Sequence, residues 1–172
     1  MTFSFDKLTA KSQEAISTAQ GLAVKGDNPE LSPLHLLAAL LLEQNGGVQA
    51  ILAAMGADQS QLQQTVTAEL SHLPKVQGGS TPAPSHELQK ILHAAADEAE
   101  KLQDEYISTE HLLLALAEQP SKAKNLLDLN AIDAKSLRQA VMQVRGTTRV
   151  TDQDPESKRQ ALEKYGIDLV ER

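Results

Sequence analysis

Apolar positions recur with helical spacing over residues 9–24, where Ala15, Ile16, Ala19, Leu22 and Ala23 fall on one stripe. Gly26-Asp27-Asn28-Pro29 breaks that pattern. Ser32 and Pro33 then suit the start of a second helix, a side-chain acceptor followed by a residue that needs no N–H partner. Residues 34–42 are apolar on nearly every side, which predicts a buried central helix. A short helix is predicted over 48–55, stopped by Gly56, and Asp58 caps a fourth that runs to about Leu70.

The same plan then returns. Ser32-Pro33-Leu34-His35-Leu36-Leu37-Ala38-Ala39-Leu40 matches Ser108-Thr109-Glu110-His111-Leu112-Leu113-Leu114-Ala115-Leu116 at a fixed offset (108 − 32 = 76). In this register Ala15-Ile16 matches Ile91-Leu92, and Ala19 and Ala23 match Ala95 and Ala99. Downstream the register slips by one, pairing Leu52 with Leu127, Asp58 with Asp133 and Val66 with Val141. The second copy therefore predicts helices from Ser85 to about 102, over 110–117, from Pro120-Ser121 onward, and from Asp133 to about 145. A unit of about 75 residues present twice is too long and too few for an open solenoid. The expected architecture is all-α, with two pseudo-symmetric four-helix repeats, about 5–73 and 85–145, in one domain of residues 1–145. Residues 74–84 lack apolar periodicity and read as an exposed linker. After Arg145 the chain turns polar; residues 156–165 suit a short charged helix and 166–170 an extended segment.

Composition narrows the chemistry. Of 172 residues, 41% are hydrophobic but only 2% aromatic, so the core must be built from Leu, Ala, Ile and Val. No Cys is present, which excludes disulfides and thiolate metal sites. A net charge of −7 argues against nucleic acid as a partner. The first residues have no apolar signal-peptide core, and no run approaches a membrane span. These features point to a cytoplasmic setting. No phosphate loop or G-x-G-x-x-G is present, so no nucleotide hydrolysis is expected of this chain. His86-Glu87 is followed by Lys90 where a zinc protease needs His, and no metal site is expected. His35 and His111 hold equivalent first-turn positions and are expected to bond to the neighbouring connection rather than act as bases. Asp104, Glu105 and Glu110 bracket Tyr106-Ile107-Ser108-Thr109; an apolar strip rimmed by these acids would suit peptide segments with basic residues. Glu110 equally suits a helix N-terminus by its charge.

The repeated unit resembles the N-terminal domain of the Clp chaperones, and above all the ClpB disaggregase type. The resemblance rests on Leu8-Thr9, on residues 33–40, on Gly56 with Asp58, and on residues 106–116. It extends through Lys158-Arg159-Gln160-Ala161-Leu162-Glu163-Lys164-Tyr165-Gly166-Ile167-Asp168-Leu169-Val170-Glu171-Arg172, which is similar to the junction before the first ATPase module. It implies a non-enzymatic domain, monomeric alone and hexameric in the full-length family protein. Such a domain recruits unfolded or aggregated polypeptide for ATP-driven threading. Residues 146–172 would form the linker toward ATPase modules outside this chain, and ATP would be a cofactor only there. The alternative that it implies is a domain docking an adaptor protein for a protease-feeding unfoldase. The family's polar cluster maps onto Thr9, Asp104 and Glu110. Its apolar groove wall maps onto Leu92 and position 111, where His111 departs from the pattern. Tyr106 and Ile107 would add contact area in a groove between the first helix and residues 104–110. Some protease-feeding relatives bind phosphorylated arginine at two symmetric Thr-Glu-His sites. Here the second copy keeps Thr109-Glu110-His111 but the first has Pro33-Leu34-His35, so no symmetric pair is expected.

Overall fold

The structure, a computed structural model, describes residues 3–43, 46–79, 81–146, 150, 151 and 153. The helix and extended segment expected at 156–170 lie outside these residues. Each repeat forms four helices. The first has α1 (Ala10–Lys25), α2 (Pro33–Leu42), α3 (Gly47–Ala54) and α4 (Gln59–Leu70). The second has α5 (His86–Lys101), α6 (Thr109–Glu118), α7 (Lys122–Leu129) and α8 (Ala134–Arg145). Most helix starts are capped by side chains, whereas Ser32 and Ser108, expected to cap α2 and α6 as acceptors, donate their backbone N–H to His35 and His111. Thr9, Asp58, Ser85, Ser121 and Asp133 each accept a bond from a backbone N–H in the first turn of the helix that follows. The slip in register is kept in the backbone. Asp27 and Gln103 hold positive φ angles of 54° and 59°, and Gly56 and Ala131 hold 70° and 60°. The turn shape thus persists where the second copy has lost its glycine.

The two halves exchange their ends. Just before α2 the chain forms β1 (Glu30–Leu31), which pairs in parallel with β2 (Ala83–Pro84) at the entry to α5. Leu8, at the entry to α1, bridges in parallel to Ile107, just before α6. These are the same contact seen from either side of a pseudo-twofold axis. Ser85 N–H donates to the Leu31 carbonyl at 2.9 Å, and Thr9 N–H donates to the Ile107 carbonyl at 3.0 Å.

Burial follows the apolar pattern. In α2, residues 33–41 are buried, and in α6 the buried run is 109–117. The two helices pack against each other, α3 packs on α8 and α4 on α7, so one core spans both repeats. The alanines of α1 and α5, among them Ala19, Ala23, Ala95 and Ala99, are buried against α2 and α6. Their small size permits this close approach where aromatic residues are scarce. Glu98 is buried on α5 and accepts a bidentate pair from Arg138 of α8, which also bonds Glu118.

Among the described residues, the segment 74–84 is the exposed linker expected, with Pro82 buried. Val76 N–H donates to the Asp27 carbonyl at 2.8 Å and Asn28 Nδ2 donates to the Pro74 carbonyl at 2.9 Å. Main-chain polar groups, which leave no hydropathy signal, tie the segment down.

Candidate binding site on the α5–α6 connection

The connection between α5 and α6 is held by a buried polar knot. Ser108 N–H donates to His111 Nδ1 at 2.8 Å, so the ring proton resides on Nε2 and is donated to Asp104 Oδ2 at 2.7 Å. Arg145, the last residue of α8, donates through Nη2 to Asp104 Oδ1 at 2.6 Å and through Nη1 to Glu110 at 2.9 Å. Its side chain is only 5% exposed. Asp104 also accepts from Val150 N–H at 2.7 Å. Burial alone would raise the Asp104 pKa, but the bonds from His111, Arg145 and Val150 outweigh it and hold the carboxylate down to about 2.

The first repeat builds the same knot without charge. His35 Nδ1 accepts from Ser32 N–H at 2.9 Å, and its Nε2 bonds Asn28 Oδ1 at 2.9 Å. Asn28, Ser32 and His35 stand where Asp104, Ser108 and His111 stand in the second repeat. Burial lowers the His35 pKa and keeps that ring neutral. The histidines therefore bond to the neighbouring connections, as their duplicated positions predict. Ser108, His111 and Asp104 contain the residue types of a nucleophilic triad in the wrong arrangement. The carboxylate sits on Nε2, a backbone N–H fills Nδ1, and all three are buried. This geometry activates no nucleophile.

The structure divides the seven predicted site residues. Leu92 is half-buried and packs on the core, and Tyr106 is half-exposed. Ile107 and His111 are fully buried, which corrects the expectations that Ile107 offers contact area and that position 111 lines a groove. Ile107 is consumed by its bridge to Leu8, and His111 by its bonds to Ser108 and Asp104. Thr9 is buried as the cap of α1. Asp104 and Glu110 are buried on Arg145, so they form no acidic rim for a basic peptide. Their role is to fix the connection. Sequence reasoning missed Arg145, read only as a helix end, and Val150, which is buried beyond the last helix. It also missed Phe5, 56% exposed on the turn before Leu8, and Phe3, packed edge-on against His93 of α5 at 6.1 Å. Phe5, exposed shortly before Leu8, Tyr106, part-exposed just before Ile107, and Leu92, half-buried on α5, are thus apolar groups left at least partly open in these segments. Among the described residues no cluster of His, Asp or Glu could hold a metal ion, and no single helix is long and apolar enough to cross a membrane.

The family model described as the Clp repeat (R) N-terminal domain matches residues 7–130. The chain belongs to the Clp N-terminal domain family. Among curated relatives, a chaperone protein ClpB of Rhodopirellula baltica is 43% identical over 171 residues, covering 99% of this chain and 19% of its own. A chaperone protein ClpB of Pseudomonas putida is 40% identical over 168 residues, covering 97% and 20%. The chain thus spans about one fifth of the length of these relatives. Solved structures carry the same fold. The Hsp104 N-terminal domain from Candida albicans superposes with a TM-score of 0.78 at 22% identity, covering 87% of this chain and 98% of that one. A complex of a ClpV N-domain with a VipB peptide superposes at 0.68 and 23% identity, covering 86% and 92%. The match is thus to the N-terminal domain of Clp-type chaperones.

Proposed function

We propose that this Clp N-terminal domain captures unfolded or aggregated polypeptide for a ClpB-type disaggregase. It acts as a cytoplasmic chaperone module, monomeric by itself. Residues 146–172 then lead toward ATPase modules that bind and hydrolyse ATP in a hexameric full-length protein. The observation that carries this reading is a connection bearing part-exposed Tyr106, held by the Asp104–Arg145–Glu110 knot and bridged at Ile107 to Leu8, with Phe5 exposed shortly before it. A rigid backbone bearing half-exposed apolar groups is ordered before a ligand arrives, which lowers the entropy lost on binding. The ClpV N-domain solved with a VipB peptide supports a peptide-binding role for this fold. Few part-exposed apolar groups support only weak binding, which suits a chain that must be released for threading.

Leu92→Glu tests the reading. It is expected to weaken binding of a reduced, alkylated, permanently unfolded polypeptide about tenfold, roughly the 1.4 kcal/mol of one partly buried side chain. The helical circular dichroism is expected to persist, because Leu92 is only half-buried. Phe5→Asp, at an exposed position, is expected to act in the same direction. Wild-type affinity in both variants would overturn the proposal. Tight binding of one folded adaptor, with none of the unfolded chain, would favour the adaptor-docking alternative.

A further inference from the structure

A cavity of about 410 Å³ lies between the end of α1 and residues of the segment joining α4 to α5. That size falls within the roughly 300–1,000 Å³ of small-ligand sites. Its apolar walls are Val24, Pro29, Val76 and Pro82, and among the described residues Asp27 is the only ionisable one that lines it. Both sides are fixed before any ligand arrives. Val76 N–H donates to the Asp27 carbonyl, Asn28 Nδ2 to the Pro74 carbonyl, and Gln20 Nε2 to the Pro82 carbonyl at 3.1 Å. Next to Pro82, Ala83 pairs with Glu30 in the β1–β2 ladder.

The fold does not account for this lining. At the offset of 76, the second repeat carries Glu100, Gln103 and Glu105 where the first carries Val24, Asp27 and Pro29. It forms the same helix end and turn, with a φ of 59° at Gln103 beside 54° at Asp27. Polar residues therefore serve this turn equally well. Val24 is 55% exposed and Val76 47% exposed, so neither contributes much to the core. Two open apolar side chains and one acid thus converge on one cavity. Asp27 is exposed, and among the described residues no ion pair engages its carboxylate. Lys25 and Lys75, its cationic neighbours along the chain segments, do not line the cavity.

We propose that this cavity is a second binding site, which takes the side chain of a lysine or arginine from a polypeptide. The aliphatic stem lies against Val24, Val76 and the two prolines, and the cationic head meets the Asp27 carboxylate. The prolines and the backbone ties hold the walls in place, so little order is lost on binding. A net charge of −7 draws cations to the domain at long range. In the second repeat the acids Asp104 and Glu110 are spent on Arg145, whereas Asp27 stays open to a ligand. The site shares no residue with Phe5, Leu92 and Tyr106, and it stands whether or not those residues capture unfolded chains.

The test is a titration of the full chain with acetyl-Gly-Lys-Gly-amide, following backbone amides by NMR. Acetyl-Gly-norleucine-Gly-amide, which keeps the stem and lacks the charge, is the control. The lysine peptide is expected to give saturable shifts at Val24, Asp27, Val76 and Gly79. Asp27→Asn is expected to weaken it about threefold to fivefold, the upper range for one exposed charge pair, and to leave the norleucine peptide unchanged. Asparagine tolerates a positive φ, so the turn persists in this variant. Val76→Ser, at an exposed position, is expected to weaken both peptides. Equal affinity of wild type for the two peptides, an Asp27→Asn protein that binds the lysine peptide as wild type does, or shifts absent from these four amides would each overturn the site. None of these outcomes alters the Leu92→Glu test of polypeptide capture.

Discussion

Asp104→Ala is expected to destabilise the domain by about 3–5 kcal/mol, the usual cost of removing one partner from a buried ion pair. Three groups lose their acceptor together: the Arg145 guanidinium, His111 Nε2–H and Val150 N–H. Arg145 keeps only its bond to Glu110 among those described above, in a place where its charge is screened from water. Urea unfolding of the two proteins measures the difference. Asp104→Asn is expected to fall between them, because Asn28 already shows that an amide oxygen satisfies a histidine in this geometry. The pH dependence follows from the sign of the shift. The folded pKa is depressed from 3.8 to about 2, so the stabilisation is full above the unfolded value and is lost as pH falls from about 4 to about 2. That shift corresponds to about 2 kcal/mol, which Asp104→Ala should no longer lose on acidification. A cost below about 1 kcal/mol, or an acid loss unchanged in the variant, would show that the knot contributes little.

Leu40→Ala is expected to cost about 2–5 kcal/mol, and Leu116→Ala a similar amount. The two leucines occupy equivalent positions in α2 and α6, and both are 0% exposed. The more telling expectation concerns cooperativity. Helix α2 packs on α6 and α7, α3 on α8, and the chain ends cross between halves at Leu31–Pro84 and Leu8–Ile107. A cavity in one half must therefore loosen the other. Each variant should show one unfolding transition with one lowered midpoint, whether followed by circular dichroism or by methyl signals from either repeat. A variant in which one repeat melts early while the other keeps its wild-type midpoint would contradict a shared core.

What the sequence made legible was local or repeated. Ser32 and Ser108, Asp58 and Asp133 announce helix starts by their own chemistry, and the leucine runs of α2 and α6 can only be buried. Duplication doubled each signal. Long-range polar ties left no such trace. Arg145 reaches Asp104 across 41 residues and Val150 across 46, and a single charge at a helix end is read as well by the helix dipole as by a buried partner. Glu110 was placed correctly at the start of α6, but its burial depends on Arg145, which nothing nearby specifies. Ile107 looked like contact surface because an apolar residue in a polar connection has no periodicity to reveal its bridge to Leu8. The open apolar groups were half legible: Leu92 and Tyr106 came from the resemblance, whereas Phe5 precedes any regular pattern.

The most direct test of polypeptide capture is an NMR titration of the full chain with the reduced, alkylated polypeptide, following backbone amides. The account predicts shifts at Phe5, Leu92 and Tyr106. Shifts confined to the exposed apolar residues Leu129, Met142 and Val144 of α7 and α8, or no shifts at all, would contradict it.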